Sequence, residues 1–260
     1  RLDGGMLLGL DRKTGQEVWR SLQPGHDTFG FWSSPVACTI DGTACVVWLS
    51  CLSVVGIAPN DGKTLWRYEL APPEYPLGRD DHRGTVATTP IVVGNRIFAQ
   101  YHPPYMRGFS YCLEVSGGKP KVLYKLPDLA AWYHSCIFYD GCVYGVDQPI
   151  GKPSEGVGIL QCYDLQSGRM QWSTDTFDVE SDAGEPTRLK ASDTFMIANG
   201  KMISWGRELV VAEVNSRGYK VLAVADLGHS AHWTVPVLCD GKIYCRTSRG
   251  KLLCLDVRKP

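Results

Sequence analysis

Six histidines, His26, His82, His102, His134, His229 and His232, are the side chains here with the widest chemical range. A neutral imidazole can ligate a metal, exchange a proton near neutral pH or hold a polar ligand. Around them stand Asp27 and Trp32, then Asp80, Asp81 and Arg83, then Trp132 and Tyr133. Glu185, Arg188 and Lys190 follow, and Trp233 comes last. Aromatic walls with a few convergent polar groups are what a small-molecule pocket or a partner surface needs. A metal centre has weaker support, because no H-x-H or H-E-x-x-H spacing occurs. Asp80-Asp81 offers oxygen ligands suited to calcium, but two acids do not make a cage. No metal site is assigned on this pattern. Any one of these residues also has an ordinary structural use, as a backbone partner or a loop cross-link. Taken together they favour a ligand or partner face.

Other chemistries lack their signatures. There is no G-x-S-x-G elbow and no Walker A loop. None of the ten cysteines is adjacent to another and no C-x-x-C occurs, which removes zinc ribbons and thioredoxin-type redox chemistry. Lysine plus arginine and aspartate plus glutamate both number 27, so no net field draws nucleic acid. No apolar run approaches the roughly 20 residues that span a bilayer. A hydrophobic content of 44% is ample for a packed core and excludes general disorder. The sequence opens at Arg1 without a methionine, so the lack of a targeting segment in it carries no weight.

The elements that must position these residues show themselves as a repeat. Leu10-Asp11 through Trp19 and Tyr163-Asp164 through Trp172 both read D-x-x-[TS]-G-x-x-x-W. Ile57 through Trp66 keeps the Gly-x-x-x-Trp half. Leu113 through Tyr124 and Ala212 through Leu222 are looser copies, and Leu255-Asp256 begins a sixth. Alternating with these are Asp41-Gly42, Gly94-Asn95, Asp140-Gly141, Asn199-Gly200 and Asp240-Gly241, each between short apolar runs. Such pairs supply the positive φ of a two-residue hairpin. Each repeat of roughly 50 residues therefore holds four strands, A to D, which is a propeller blade. The chain is expected to be all-β, a single β-propeller domain over residues 1–260 with about five to six four-stranded antiparallel blades. The first blade has only C and D and the last only A, B and C. The sequence thus reads as the C-terminal portion of a seven- or eight-bladed ring that lacks upstream strands.

Cys112, Cys162 and Cys254 align with Gly9 and Gly56, so they are expected to be small, buried, unpaired core residues. Cys38 and Cys45 fall opposite each other, where a bridge or two free thiols are both open. Strand alternation puts the A–B and C–D turns at one end of every blade and the D–A and B–C connections at the other. All the long connections belong to the second set, and so do all six histidines. Long loops on a rigid scaffold are where binding resides.

These motifs resemble the quinoprotein alcohol dehydrogenase-like, or PQQ-like, propeller family, over nearly the whole chain. The resemblance implies that Trp19, Trp66 and Trp172 dock, buried, between blades. It also implies two competing functions. Quinoprotein dehydrogenases hold pyrroloquinoline quinone (PQQ) and calcium over the channel and carry an adjacent-cysteine disulfide, which this sequence lacks. The BamB-like branch is a non-catalytic scaffold of the periplasm or secreted space, with no cofactor, whose face binds a protein partner. The second branch fits better, and a PQQ-dependent oxidoreductase using the same face is the alternative.

Overall fold

The structure, a computed structural model, describes residues 7–22, 32–50, 53–70, 87–101, 108–127, 129–131, 134–147, 159–174, 194–206, 208–228 and 234–258, with residues 176–180 and 186–190 as backbone. Every regular element among them is a strand. β1 (Leu7–Leu10) and β2 (Glu17–Ser21) form a ribbon. β3 (Val36–Ile40), β4 (Thr43–Leu49), β5 (Ser53–Ile57) and β6 (Thr64–Glu69) make a four-stranded antiparallel meander. A second comprises β7 (Ile91–Val93), β8 (Arg96–Tyr101), β9 (Phe109–Ser116) and β10 (Lys119–Leu126). β11 (Ile137–Tyr139), β12 (Cys142–Asp147), β13 (Ile159–Asp164) and β14 (Met170–Thr174) make a third.

Next comes a two-stranded ribbon, β15 (Thr176–Glu180) with β16 (Pro186–Lys190). It lies in the connection between β14 and the next meander, where the four-strand repeat predicts no strands. The alternation in Thr176-Phe177-Asp178-Val179-Glu180 is the period-two sign of a strand. A fourth meander follows, with β17 (Phe195–Ala198), β18 (Lys201–Trp205), β19 (Glu208–Asn215) and β20 (Gly218–Asp226). β21 (Val237–Cys239), β22 (Lys242–Arg246) and β23 (Leu252–Asp256) form a three-stranded sheet. These are the blades of a β-propeller fold.

The hairpin turns follow from local sterics. Asp41 and Gly42 sit at φ 49 and 72, the positive pair a two-residue turn demands. The chain divides into two compact units, residues 1–136 and 137–260. In the first, Val47, Leu49 and Trp66 of one sheet pack with Ile97, Leu113 and Val115 of the next. In the second, Tyr144, Leu160 and Cys162 pack with Phe195, Met202 and Val214. The cores thus lie between consecutive sheets. A sheet covered on both faces buries strands without alternation, as in β12, which is buried throughout.

The pairing of the third and fourth strands explains the aligned glycines and cysteines. Gly9 faces Trp19, Gly56 faces Trp66 and Cys162 faces Trp172 across the ladder. A Cβ at Gly56 would stand 2.1 Å from Cε2 of Trp66, so glycine is needed there for space. Immediately past each of these pairs the register skips one residue. The skip is a β-bulge, and it turns Val18 and Leu65 outward, 61% and 40% exposed. Cys112 and Cys162 are fully buried and free. Cys254 corrects the expectation of burial, because it is exposed. No fourth strand lies on β23 among the described residues to cover it.

The tryptophans differ from one another in depth. Trp66 is buried, at 6% exposure. Trp19 and Trp172 are half-buried rather than buried, since each indole lies at the rim of the following sheet. Trp19 donates Nε1–H to the Pro59 carbonyl at 2.8 Å, and Trp172 donates to the Asn215 carbonyl at 2.8 Å.

Candidate functional site

The tight-turn end of each sheet is occupied by structure. Asp11 accepts from Lys13 N at 3.0 Å, Thr14 N at 2.8 Å and the Thr14 hydroxyl at 2.9 Å. The Thr14 bonds foremost hold its carboxyl below the usual carboxylate range. Asp164 accepts from Ser167 N in the same way, at 2.7 Å. The D and [TS] of the repeat are thus turn-capping residues.

The two kinds of turn are also tied together. Val115 N donates to the Asn95 carbonyl at 3.0 Å, and Leu165 N to that of Gly141 at 3.0 Å. Val214 N donates to Gly200 at 3.1 Å, and Val257 N to Gly241 at 2.9 Å. Each bond joins the end of a third strand to the first hairpin of its own sheet. One bond set crosses between sheets: Asp41 N donates to Asn95 Oδ1 at 2.9 Å, Asn95 Nδ2 returns a bond to the Asp41 carboxylate, and Gly117 N donates to Asp41 Oδ2 at 2.6 Å. These cross-links were not foreseen from the sequence, although Asp41 and Asn95 at equivalent hairpins were the available signal. With both turn types at one end, antiparallel alternation puts the remaining connections at the other.

Four of the candidate residues, Trp32, His134, Arg188 and Lys190, are among the described residues. Trp32 lies ahead of β3 and is 66% exposed, unusual for so large an apolar side chain. The adjoining Ser33 carbonyl accepts Trp48 Nε1–H at 3.1 Å, which ties the entry to β3 onto β4. His134 lies ahead of β11 and is buried, at 5% exposure. Arg188 and Lys190 stand in β16, opposite Asp178 and Thr176. His26, Asp27, Asp80, Asp81, His82, Arg83, His102, Trp132, Tyr133, Glu185, His229, His232 and Trp233 lie outside the described residues.

Burial sets the character of the thiols. It pushes Cys45 and Cys245 up to about 11 and Cys162 to about 12. Cys38 and Cys45 are Cα partners with both thiols free, and Cys38 Sγ donates to the Cys45 carbonyl at 3.5 Å. Among the described residues no three His, Cys, Asp or Glu side chains are grouped to hold a metal ion. No described helix is long and apolar enough to cross a membrane.

Solved structures with the same fold include BamB from Moraxella catarrhalis, at 15% identity and TM-score 0.49, covering 97% of this chain and 79% of that one. Quinohemoprotein alcohol dehydrogenase ADHIIG from Pseudomonas putida matches at 12% identity and TM-score 0.56, covering 86% of this chain and 40% of that one. The quinohemoprotein alcohol dehydrogenase of Comamonas testosteroni matches at 13% identity and TM-score 0.48, covering 84% and 39%. No curated protein matches the sequence. The model of one PQQ-like family, described as outer membrane protein assembly factor BamB, matches residues 2–174. The chain belongs to that PQQ-like, BamB-type β-propeller family.

Proposed function

We propose that the chain is a non-catalytic binding scaffold, working in the periplasm or as a secreted protein. In this reading a protein partner, or a small ligand, is held by the His, Trp and acidic residues of the long connections, and no cofactor is needed. The observation that carries it is the division between the two ends of the sheets. Among the described residues hydrogen bonds consume the turn end, whereas Trp32, ahead of β3 at the other end, is 66% exposed. Exposed tryptophan among polar neighbours is a frequent anchor of protein interfaces. The family description, an assembly factor for outer membrane proteins, supports a protein partner over a small ligand.

The second reading is a PQQ-dependent oxidoreductase using the same end. It is favoured by the backbone likeness to the Pseudomonas putida quinohemoprotein dehydrogenase, at TM-score 0.56. Calorimetry with PQQ and calcium, paired with dye-linked alcohol oxidation, separates the two. The scaffold reading expects neither binding nor turnover. Micromolar or tighter binding with turnover would establish the oxidoreductase instead. A His82→Ala, Trp233→Ala double variant is expected to melt within about 2 °C of the parent, a shift of under 1 kcal/mol. A large drop would show that these residues are packing and not a face.

A further inference from the structure

Two pairs of free cysteines have their thiols in hydrogen-bond contact: Cys38 with Cys45, and Cys142 with Cys162. Strand register separates the two pairs. Cys38 and Cys45 are directly opposed Cα partners across the β3–β4 hairpin, and no other two cysteines are so paired among the described strands. Directly opposed residues of an antiparallel pair hold their Cα atoms about 4.5–5.5 Å apart, within the roughly 4.4–6.8 Å that a disulfide spans. Cys142 pairs instead with Asp164, and Cys162 with Tyr144. That diagonal puts their Cα atoms about 7–8 Å apart, too far for a bridge without a backbone shift. Access separates the pairs again. Cys38 is half-buried, whereas Cys142 and Cys162 are 3% and 0% exposed. Cys38 Sγ also donates to the Cys45 carbonyl at 3.5 Å, so it already lies over its partner residue.

We propose that Cys38 and Cys45 form a reversible dithiol–disulfide site on the β3–β4 hairpin, oxidised by exchange with a glutathione-type disulfide. Cys38, the accessible thiol, gives its proton to solvent, and its sulfur attacks one sulfur of the oxidant. The oxidant's S–S bond breaks, and its second half leaves as a thiolate that takes up a proton. Cys45 then loses its proton and attacks Cys38 Sγ, releasing the first half in the same way. Two protons and two electrons pass from the protein thiols to the oxidant, which ends as two thiols. Burial holds both protein thiols above the ordinary value of 9.0, with Cys45 at about 11, so the exchange is slow at neutral pH and quickens in alkali. The bridge would brace a hairpin that already anchors its surroundings. Asp41 in its turn accepts from Asn95 and from Gly117 N–H of the next sheet, and Trp48 of β4 donates Nε1–H to the Ser33 carbonyl. Oxidation therefore stiffens the hairpin that the exposed Trp32 adjoins.

The test incubates the purified 260-residue protein, reduced and then freed of reductant, with glutathione disulfide under native conditions. Remaining thiols are blocked with N-ethylmaleimide in denaturant, and the peptides are mapped by mass spectrometry. Cleavage after Trp32, before Asp41 and after Trp48 leaves Cys38 and Cys45 on separate peptides with no other cysteine. The expected product is those two peptides linked, with Cys142 and Cys162 blocked as free thiols. Dithiothreitol is expected to free all four. Linking should run about tenfold faster at pH 8 than at pH 7, because the thiolate fraction rises about tenfold per unit below the pKa. Cys45→Ser is expected to stop at glutathione attached to Cys38. Mapping of the parent decides the matter even where that variant, substituted at a buried position, folds poorly. The proposal is overturned if Cys38 and Cys45 stay unlinked, or if the parent also stops at glutathione on Cys38. It is overturned equally if Cys142 and Cys162 link as fast, because thiol contact and not register would then select the pair.

Discussion

Adding one methyl group at Gly56 tests whether the glycines of the repeat exist to admit an indole. A Cβ there would lie 2.1 Å from Trp66 Cε2, 2.3 Å from Nε1 and 2.5 Å from Cζ2. Carbon atoms in contact prefer about 3.5–4.0 Å, so the ring must withdraw by roughly 1.5 Å. Trp66 is only 6% exposed and is packed between two sheets, so its withdrawal disturbs the neighbours. Overpacking of this kind costs about 1–3 kcal/mol. The φ of Gly56 is not in the left-handed region, so alanine meets no backbone penalty. Once the indole is gone, alanine in a strand interior is better than glycine by roughly 0.5–1 kcal/mol. Trp66→Ala alone should cost about 3–5 kcal/mol. At about 2–4 °C per kcal/mol, that lowers the melting temperature by roughly 6–20 °C. The double-mutant cycle should therefore show a coupling of about 1.5–4 kcal/mol, with Gly56→Ala harmful in the parent and helpful in the Trp66→Ala background. Thermal and urea melts of the four proteins measure it. Additive effects, or a harmless Gly56→Ala in the parent, would refute the steric argument.

Two further predictions rest on other parts of the structure. Asp41→Ala removes the carboxylate that Asn95 and Gly117 N–H donate to and places alanine at φ 49, so a loss of about 2–3 kcal/mol in urea melts is expected. Asp41→Asn tolerates the same φ and should lose only about 1 kcal/mol, and equal losses would contradict the role given to φ. Burial raises Cys45 from the ordinary thiol value of 9.0 to about 11, so the core accepts the neutral thiol. The stability this contributes is complete below pH 9 and disappears as pH rises through about 11. The melting temperature should fall over that window, and less steeply in Cys45→Ala than in the parent. Identical slopes would remove Cys45 as a cause.

Much of the architecture was legible in the residues because it rests on local sterics. Asp-Gly and Asn-Gly pairs can take the positive φ of a two-residue hairpin, and Asp11 and Asp164 cap turns within three residues of themselves. Those short-range constraints carried the strand count of every described sheet but the β15–β16 ribbon, including the two-stranded start and the three-stranded end. The candidate site was less legible. Connections between strands follow no period, so strand alternation assigns them an end of the sheet but says nothing of the contacts of a residue such as Trp32. What the tertiary structure decided concerns surfaces that meet across sheets. Cys162 and Cys254 are the same residue at the same strand position, yet one is fully buried and the other exposed. Trp66 is buried while Trp19 is half-buried, although both close the same Gly-x-x-x-Trp motif. A motif dictates which way a side chain leaves its own strand, but burial depends on which sheet lies beyond it, and that information is held by residues distant in the chain.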